Sequence, residues 1–402
     1  MELIVPIILA GLAAAGLVEL VARWWIRRRA EYFVLPPGLR LHLRVDRETF
    51  PELEPEVRFE VNSDGERGRE APRQSPGLYR VLVCGGSQPE GYLLDQDTTW
   101  PGALQCLLDT TAAKQALGAD RVHVGCIARS GVGSEALDLI LSRTLPRYPK
   151  LQLIIILVGA TDVLRWLEDG APGLAPPVRA ADAFRCHPEG PFSWKPSGLA
   201  TGELLRRVRR SVFRPIVRHD RAGRWIHNAR AMRARAKEIV GTMPNPTAML
   251  DHFQFHFRRV LDQAQAHADR VLVIRQPWFD KTFNADEAAH MWHGGAGQAW
   301  RQELSTYYSF EVVSRLMAAV DSRAERVARA HGVEQLDLMR WLPASLDTYY
   351  DGFHLTPLGA RLTAAAVAAS VLEMPLPDLG ETQAAALADA ADLPAPAVSR
   401  AS

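Results

Sequence analysis

Apolar residues are concentrated in five short runs that predict the strands of one sheet. The runs are rich in β-branched and other apolar residues, and the segments between them are long enough for helices. Strands that alternate with helices favour a parallel sheet covered on both faces, which is the α/β fold class. The five runs lie at residues 79–84, 121–126, 151–158, 270–275 and 333–338.

Two further runs, at 39–45 and 57–61, alternate between apolar and polar residues with period two. This pattern predicts strands with one face in solvent, and therefore a small β-rich segment beside the main domain. A C-terminal tail rich in Ala, Pro and Asp predicts a mobile end. The expected division is an N-terminal segment at 1–30, the β-rich segment at 31–75, a main domain at 76–377 with an insertion at 168–265, and the tail at 378–402.

The N-terminal segment predicts a single-pass membrane anchor. Residues 3–18 are apolar and uncharged, and these 16 residues would form a helix of about 24 Å, against a hydrocarbon core of about 30 Å. Residues 19–26 extend the apolar run past two charged side chains, which makes it long enough and leaves Trp24 and Trp25 at the interface. A cleaved signal peptide and a buried core helix are the alternatives.

Arginines after the span predict its orientation. Arg23, Arg27, Arg28 and Arg29 all lie on the C-terminal side, whereas the start of the chain carries Glu2 and no basic residue. Basic residues near a membrane span stay in the cytoplasm. The main domain is therefore expected on the cytoplasmic side, with an extracytoplasmic domain as the alternative.

A basic stretch lies in the insertion. Residues 205–237 hold twelve Arg or Lys against a single acidic residue, Asp220. Three interpretations stay open: a solvated helical face, a surface for anionic lipid headgroups next to the anchor, and a site for an acidic substrate. No nucleic-acid motif or array of stacking aromatics accompanies the charge, so nucleic acid is not an expected partner.

Composition adds few limits. The 402 residues are 47% apolar with a net charge of +1, which is ordinary for a globular protein. The four cysteines show neither a disulfide framework nor a zinc-binding spacing. His252 and His256 stand at helical spacing, but no acidic residue lies between them as in a zinc-protease helix. We expect no metal there.

Candidate chemistry lies in two short motifs far apart in the chain. Residues 85–91 read Gly-Gly-Ser-Gln-Pro-Glu-Gly directly after the first predicted strand, and residues 351–354 read Asp-Gly-Phe-His. A serine nucleophile needs a base, and the base needs a partner that holds its tautomer. Ser87, His354 and Asp351 supply these three roles.

These motifs, in this order, resemble the blocks of the SGNH (GDSL-type) hydrolases. Ser87 and Gly91 match the first block, Gly-Asp-Ser-x-x-x-Gly, with Gly86 in the variable place. The run Asp-Thr-Thr-Trp-Pro at 97–101 also looks like the stretch that follows the serine in many members. The motif at 351–354 matches the last block.

Two internal blocks extend the resemblance, which covers about residues 75–165 and 265–372. The family places an oxyanion-hole glycine after the second strand, and Gly131 matches it, with Gly133 as the alternative. The family's Gly-x-Asn-Asp block after the third strand corresponds to Gly-Ala-Thr-Asp, where Thr161 replaces the asparagine. A threonine hydroxyl donates one hydrogen bond over a shorter reach than a carboxamide.

The resemblance implies a three-layer α/β/α sandwich with a flavodoxin-like, five-stranded parallel sheet. It also implies a serine esterase that acts through an acyl-serine, with Asp351 orienting His354 and with the backbone N–H groups of Ser87 and Gly131, aided by Thr161, holding the oxyanion. An acylated small molecule, an O-acylated carbohydrate or a lipid-linked ester is the expected substrate. No metal or organic cofactor is implied, and no protein partner is indicated.

Other functions stay open at this level. One is an O-acyltransferase acting on a cell-envelope or exopolysaccharide substrate, and another is a non-catalytic assembly protein that keeps the fold. The aromatic run at 276–279, with Trp292, His293 and Trp300, either lines the substrate cleft or packs in the core.

Overall fold

The computed structural model shows an α/β protein with an apolar N-terminal helix. It describes residues 4–29, 31–72, 75–173, 176–187, 198–212, 216–219 and 221–374. The tail predicted at 378–402 lies outside the described residues.

Strands and helices are numbered in chain order. The strands are β1 Arg40–Arg44, β2 Glu56–Glu60, β3 Leu78–Gly85, β4 Arg121–Cys126, β5 Leu151–Leu157, β6 Ile216–His219, β7 Glu238–Val240, β8 Ala268–Arg275, β9 Thr306–Tyr308 and β10 Glu334–Asp337. The helices are α1 Ile4–Arg29, α2 Ser87–Glu90, α3 Trp100–Leu108, α4 Thr111–Ala116, α5 Ser134–Thr144, α6 Ala160–Glu168, α7 Ala180–Ala183, α8 Ala200–Val212, α9 Arg221–Ala234, α10 Thr247–His267, α11 Ala285–His290, α12 Phe310–Ala330 and α13 Pro357–Val371.

The central sheet has five parallel strands in the order β10-β8-β5-β3-β4. All five strands predicted from the apolar runs are confirmed, and the order is that of a flavodoxin-like sheet. Because β3 lies between β4 and β5, the chain leaves it toward one edge of the sheet and later returns to the other side. A crevice forms at the carboxyl ends of the strands where the order reverses in this way.

Helices cover both faces of this sheet, as the three-layer prediction requires. On one face α3 packs against α13, and on the other α10 packs between α5 and α12. Local sequence defines the ends of these helices. Thr356 Oγ1 accepts a hydrogen bond from Gly359 N at 3.2 Å, and Pro357 occupies the first turn, so α13 begins directly after the Asp-Gly-Phe-His motif.

The N-terminal β-rich segment forms its sheet with help from the insertion. β1 and β2 are antiparallel and confirm the two strands predicted there. β6, which the sequence analysis did not predict, adds in parallel to the free edge of β1, with Leu41 opposite Ile216. Leu43 and Phe59 are fully buried in the same hydrophobic core as the central sheet.

A buried ion network joins this segment to the central sheet. The carboxylate of Glu66, fully buried, accepts hydrogen bonds from Asn62 Nδ2 at 2.9 Å and Arg80 Nη2 at 3.1 Å, and lies 2.7 Å from His123 Nε2. Burial alone would raise the pKa of Glu66, but the contacts with His123 and Arg80 lower it to about 2. Gly125 leaves room for this side chain, because a Cβ there would lie 2.4 Å from Glu66 Cδ.

The N-terminal helix presents apolar side chains to its surroundings. It is the one helix of the described ranges that is long and apolar enough to cross a membrane, over Ile4–Ile26. Leu9, Leu12 and Leu17 are all exposed, so the alternative of a buried core helix is wrong. Near its end, Ala22 and Ile26 pack against α8.

Candidate active site

Ser87 lies at the carboxyl end of β3, in the middle of the sheet. Gly85 ends the strand so close to β5 that a Cβ there would lie 2.0 Å from the carbonyl oxygen of Leu157. Only a residue without a side chain fits this approach. The chain then turns into α2, which begins at Ser87 and ends at Gly91 with a left-handed φ of 57°. The tight turn presents the serine at the sheet edge.

Ser87, His354 and Asp351 form one hydrogen-bonded chain. Ser87 Oγ lies 2.8 Å from His354 Nε2, and His354 Nδ1 lies 2.8 Å from Asp351 Oδ2. An ionised carboxylate only accepts hydrogen bonds, so Nδ1 carries the proton and Nε2 is free to accept from the serine hydroxyl. The structure thus brings together three residues that are up to 267 positions apart.

The Asp351 carboxylate is fully buried and fully hydrogen-bonded. Its Oδ1 accepts from the backbone N–H groups of Phe353 and His354, both at 2.9 Å, and its Oδ2 accepts from Trp292 Nε1 at 3.0 Å. Burial would raise the pKa of Asp351, but the charge of His354 and these donors hold it well below its ordinary range. Burial tends to lower the pKa of His354, and the Asp351 charge overcomes this and raises the pKa above its ordinary value.

Trp292 is a site residue whose role the sequence did not reveal. A cleft wall or the core was expected for Trp292, whereas its indole N–H donates to the Asp351 carboxylate that bonds His354. Its ring stacks on His293 at 3.6 Å between centroids and meets Trp225 edge-on at 4.8 Å. A single tryptophan 59 residues before its partner carries no local pattern that predicts this contact.

The other aromatics named with it mostly pack in the core. Trp278 and Phe279 are buried, and Phe279 stacks on Tyr349 at 5.5 Å. Gln276 is also buried and donates from Nε2 to the carbonyl oxygen of its neighbour Pro277 at 3.0 Å. Trp300 is about half exposed and lies near Trp225, away from the serine–histidine contact.

Two loops close around Ser87 from the neighbouring strands. A Cβ added at Gly86 would lie 3.2 Å from the carbonyl oxygen of Val132 and 3.6 Å from Thr161 Oγ1. The loop that carries Gly131, whose φ is +80°, and the start of α6 therefore both lie beside the serine turn. Within the part of the chain that the structure describes, the N–H groups of Ser87 and Gly131 and the Thr161 hydroxyl make no hydrogen bond.

Asp162 ties these two loops together. Its carboxylate accepts from Ser134 N at 2.9 Å and Ser134 Oγ at 2.6 Å, across the gap between β4 and β5. Burial raises the pKa of Asp162, and the Ser134 bonds act against that rise. Gly133, the alternative oxyanion glycine, packs against this carboxylate, since a Cβ there would lie 3.1 Å from Asp162 Oδ1.

Buried polar contacts hold the other side of the serine turn. Glu90 is buried and accepts hydrogen bonds from the backbone N–H and hydroxyl of Ser130, which fixes the loop before Gly131. Arg67, from the N-terminal segment, is buried and donates to the carbonyl oxygens of Glu90 and of Gly91, the latter at 2.9 Å. Burial lowers the pKa of Arg67 to about 10. The β-rich segment thus supports the turn directly.

Two arginines of the basic stretch donate hydrogen bonds to the loops around Asp351. Arg230 donates from Nε to His290 O at 3.0 Å, from Nη1 to Thr49 O at 2.6 Å, and from Nη2 to Tyr350 O at 2.7 Å. Arg233 is buried and donates to the carbonyl oxygens of two residues in the same region, His293 and Tyr308. None of the three interpretations of the basic stretch fits these two residues, because they bind carbonyl oxygens inside the fold.

A cleft of about 560 Å³ lies beside the start of α6. Gly133, Thr161 and Asp162 line one part of it, and the segment after α6 lines another part. Its walls combine charged residues, such as Glu135, Arg165 and Arg179, with apolar residues, such as Trp166 and Met249.

His252 and His256 take part in ion pairs beside this cleft. His252 Nε2 lies 3.2 Å from Glu135, and His256 Nδ1 lies 2.8 Å from Asp138. Glu135, His252 and His256 are close enough for a metal ion, with ligand atoms within 4.8 Å of one another. The carboxylate of Asp138 is already bound by Arg259 at 2.7 Å. An ion-pair network between α5 and α10 accounts for all of these contacts.

Comparison with known proteins gives likeness in structure only. No protein-family model matches the chain, and no curated protein matches it either. Solved structures similar to it include the esterase EstA from Pseudoalteromonas sp., at 11% identity over 73% of this chain and 97% of that one, with a TM-score of 0.39. Another is Axe2, an acetylxylan esterase from Geobacillus stearothermophilus, at 10% identity over 75% and 96% of the two chains, with a TM-score of 0.39. A third is a lipolytic G-D-S-L family member from Veillonella parvula, at 9% identity over 74% and 100%, with a TM-score of 0.38.

The three hydrogen bonds of Arg230 predict that a single substitution there lowers the stability of the fold strongly. Arg230→Met should leave three buried carbonyl oxygens without a donor and lower the free energy of unfolding by about 3 kcal/mol, as measured by urea denaturation. Arg230→Lys should recover only part of this loss, because one ammonium group does not reach three acceptors. The matched control is the exposed Arg235→Met, with an expected change within about 0.5 kcal/mol. Equal stability of Arg230→Met and Arg235→Met would refute a stabilising role for the three Arg230 hydrogen bonds.

Proposed function

We propose that the protein is a serine-dependent hydrolase that cleaves carboxylic esters through an acyl-serine intermediate. The observation that carries this proposal is the hydrogen-bonded chain from Ser87 Oγ through His354 to the buried Asp351, with 2.8 Å at each step. A serine, a neutral imidazole and a buried carboxylate in this geometry form an activated nucleophile.

Each residue has one role in the proposed reaction. His354 Nε2 takes the hydroxyl proton as Ser87 Oγ attacks the ester carbonyl carbon, and it then gives this proton to the leaving alkoxide when the C–O bond breaks. A water molecule next attacks the acyl-serine, again losing a proton to His354, and the carboxylic acid leaves as Ser87 is restored. Asp351 keeps Nδ1 protonated and stabilises the imidazolium.

Three donors beside Ser87 would stabilise the oxyanion. The backbone N–H groups of Ser87 and Gly131 make no other hydrogen bond among the described residues, and Thr161 Oγ1 lies next to the same turn. Donors aimed at the developing charge supply much of the rate in acyl transfer. The hydroxyl of Thr161 would be the weakest of the three, because its reach is shorter than that of an asparagine.

The cleft suggests the substrate class. Its charged side chains suit the hydroxyl-rich alcohol part of an O-acylated carbohydrate, and its apolar side chains suit a lipid-linked ester. The replacement of asparagine by Thr161 favours one second candidate, a non-catalytic protein that keeps the fold for assembly. A retained serine–histidine–aspartate geometry argues for the enzyme, because a scaffold does not need it.

The N-terminal helix is proposed to anchor the enzyme in a membrane. Its apolar side chains are exposed, and four arginines follow or end the span. The positive-inside rule then places the catalytic domain in the cytoplasm.

Ser87→Ala tests the nucleophile. The variant should lose hydrolysis of short-chain aryl esters and labelling by a fluorophosphonate probe, while its melting temperature stays close to that of the wild type. Ser142→Ala is the matched control, because this serine is exposed and bonds to Leu139 O, so the variant should retain labelling. Labelling of Ser87→Ala at the wild-type rate would refute the assignment.

Thr161 tests the oxyanion hole. Thr161→Val keeps the shape and removes the donor, so kcat should fall by about tenfold or more. Thr161→Asn should preserve or raise kcat. Identical kinetics for the wild type and Thr161→Val would show that the hydroxyl does not face the reacting carbonyl.

The pH dependence of kcat/KM tests the base. His354 acts only when neutral, and the charge of Asp351 raises its pKa above the ordinary value, so the rate should climb with pH to a plateau. The rate of fluorophosphonate labelling should follow the same curve. In Asp351→Asn the midpoint of labelling should move to lower pH. An unchanged midpoint in Asp351→Asn would contradict the proposed pair.

Membrane fractionation and topology reporters test the anchor. The full chain should sediment with membranes, and deletion of residues 1–30 should release most of it. A C-terminal reporter that is active only in the cytoplasm should give signal. Signal from a reporter that works only outside the cytoplasm would refute the orientation and leave the anchor itself intact.

A further inference from the structure

Helix α8, in the basic insertion, has an apolar edge beside a basic edge. Leu205 and Val208 are three residues apart and therefore lie on one face, with 70% and 57% of their surface exposed. Arg206 and Arg209 are also three residues apart and exposed, on the neighbouring face. Arg206 forms an ion pair at 3.0 Å with the buried carboxylate of Glu203, which keeps its guanidinium close to the helix. The sequence adds two more arginines, at 207 and 210.

The start of α8 is bonded to the apolar helix α1. The Glu19 carboxylate accepts from Ala200 N at 2.7 Å and from Thr201 N at 3.1 Å, so a side chain of α1 caps the N-terminus of α8. Arg23 lies 2.7 Å from Glu19 and donates to the carbonyl oxygen of Gly198 at 3.2 Å. These bonds, with the packing of Ala22 and Ile26, hold the start of α8 beside residues 19–26 of α1.

This part of α1 is its polar boundary. Glu19 is the first charged residue after an apolar run that begins at residue 3, and Trp24 and Trp25 follow it. The apolar side chains of α1 before Glu19 are exposed on all sides, which suits hydrocarbon and does not suit water. A helix fixed at Glu19 therefore lies where the hydrocarbon core gives way to headgroups.

We propose that α8 is an interfacial helix that lies on the same bilayer that α1 enters. Leu205 and Val208 insert into the boundary between headgroups and acyl chains, and Arg206 and Arg209 bind anionic lipid headgroups. An amphipathic helix with arginines beside an apolar edge has the composition of such elements. This inference rests on the proposed anchor and is independent of the proposed ester hydrolysis.

The position of the contact between α1 and α8 favours the bilayer over a protein partner. The bonds of Glu19 to Ala200 and Thr201 lie where the exposed apolar surface of α1 ends, so the start of α8 is at the edge of the apolar phase that covers α1. With α8 on the bilayer, the catalytic domain would have two membrane attachments, α1 and α8. Glu19 and Arg23 hold these two helices together at several atoms, so the domain would rotate less freely about the anchor.

A fluorescence experiment on the full chain tests this placement. In a Cys106→Ser background the remaining three cysteines are buried, so Leu205→Cys accepts an environment-sensitive NBD label selectively. The labelled chain is reconstituted in vesicles of phosphatidylcholine with 30% phosphatidylglycerol, and quenching by nitroxide lipids is compared with quenching by aqueous iodide. Arg340→Cys is the control. Its side chain is 87% exposed, and it belongs neither to α1 nor to the insertion.

We expect nitroxide lipids to quench the label at 205 at least threefold more than the label at 340, and iodide to quench it less. Equal iodide quenching at both positions, in a chain that floats with the vesicles, would overturn the interfacial helix and leave the anchor standing. Protection from both quenchers would overturn it in favour of a protein contact. A chain that does not float with the vesicles would overturn both the helix and the anchor.

Charge reversal tests the headgroup contact. The double variant Arg206→Glu, Arg209→Glu should lose at least half of the nitroxide quenching at 205 in anionic vesicles at 0.1 M salt, because surface attraction acts within about 10 Å. Arg340→Glu should leave that quenching unchanged. Unaltered quenching in the double variant would overturn the role of the two arginines.

Discussion

A single buried charge, the carboxylate of Asp351, is the constraint around which the candidate site is built. A carboxylate with no exposed surface is stable only when its oxygens accept hydrogen bonds from every side. Two backbone N–H groups, the His354 ring and the Trp292 indole satisfy it. The need to satisfy this charge therefore sets the conformation of the loop before α13, the tilt of the imidazole and the position of a tryptophan from another segment.

Support for this loop comes from parts of the chain that a motif search does not connect. Arg230 bonds to the residue just before Asp351 and to the N-terminal segment, and Arg67 bonds to the turn just after Ser87. The β-rich segment is thus bonded both to the loop that holds Asp351 and to the turn that follows Ser87. The buried ion pairs of Glu66 fix that segment to the sheet. Loss of these ion pairs would therefore also displace the turn that carries Ser87.

Much of the fold was readable from the sequence because its signals are local. Each central strand is a short apolar run, and Ser87 stands directly after one of them. The strands β7 and β9 were missed because three residues hold too little pattern to exceed that of a loop, and β6 was missed because its four residues include Arg218 and His219 in a basic stretch. Trp292 and Arg230 were missed for another reason. Their roles depend on contacts with carboxylate and carbonyl groups 59 and more residues away, and neither residue type reveals whether it will be buried.

The pairing of β1 with β6 has a consequence for how the chain is made. Leu41 is paired with Ile216, which leaves the ribosome about 175 residues later. At synthesis rates of about 5–20 residues per second, one edge of β1 has no partner for roughly 10–35 seconds. An uncovered strand edge is a template for pairing with another chain. The nascent protein is therefore most exposed to misassembly during this interval, and a chaperone or the membrane itself would act most usefully then.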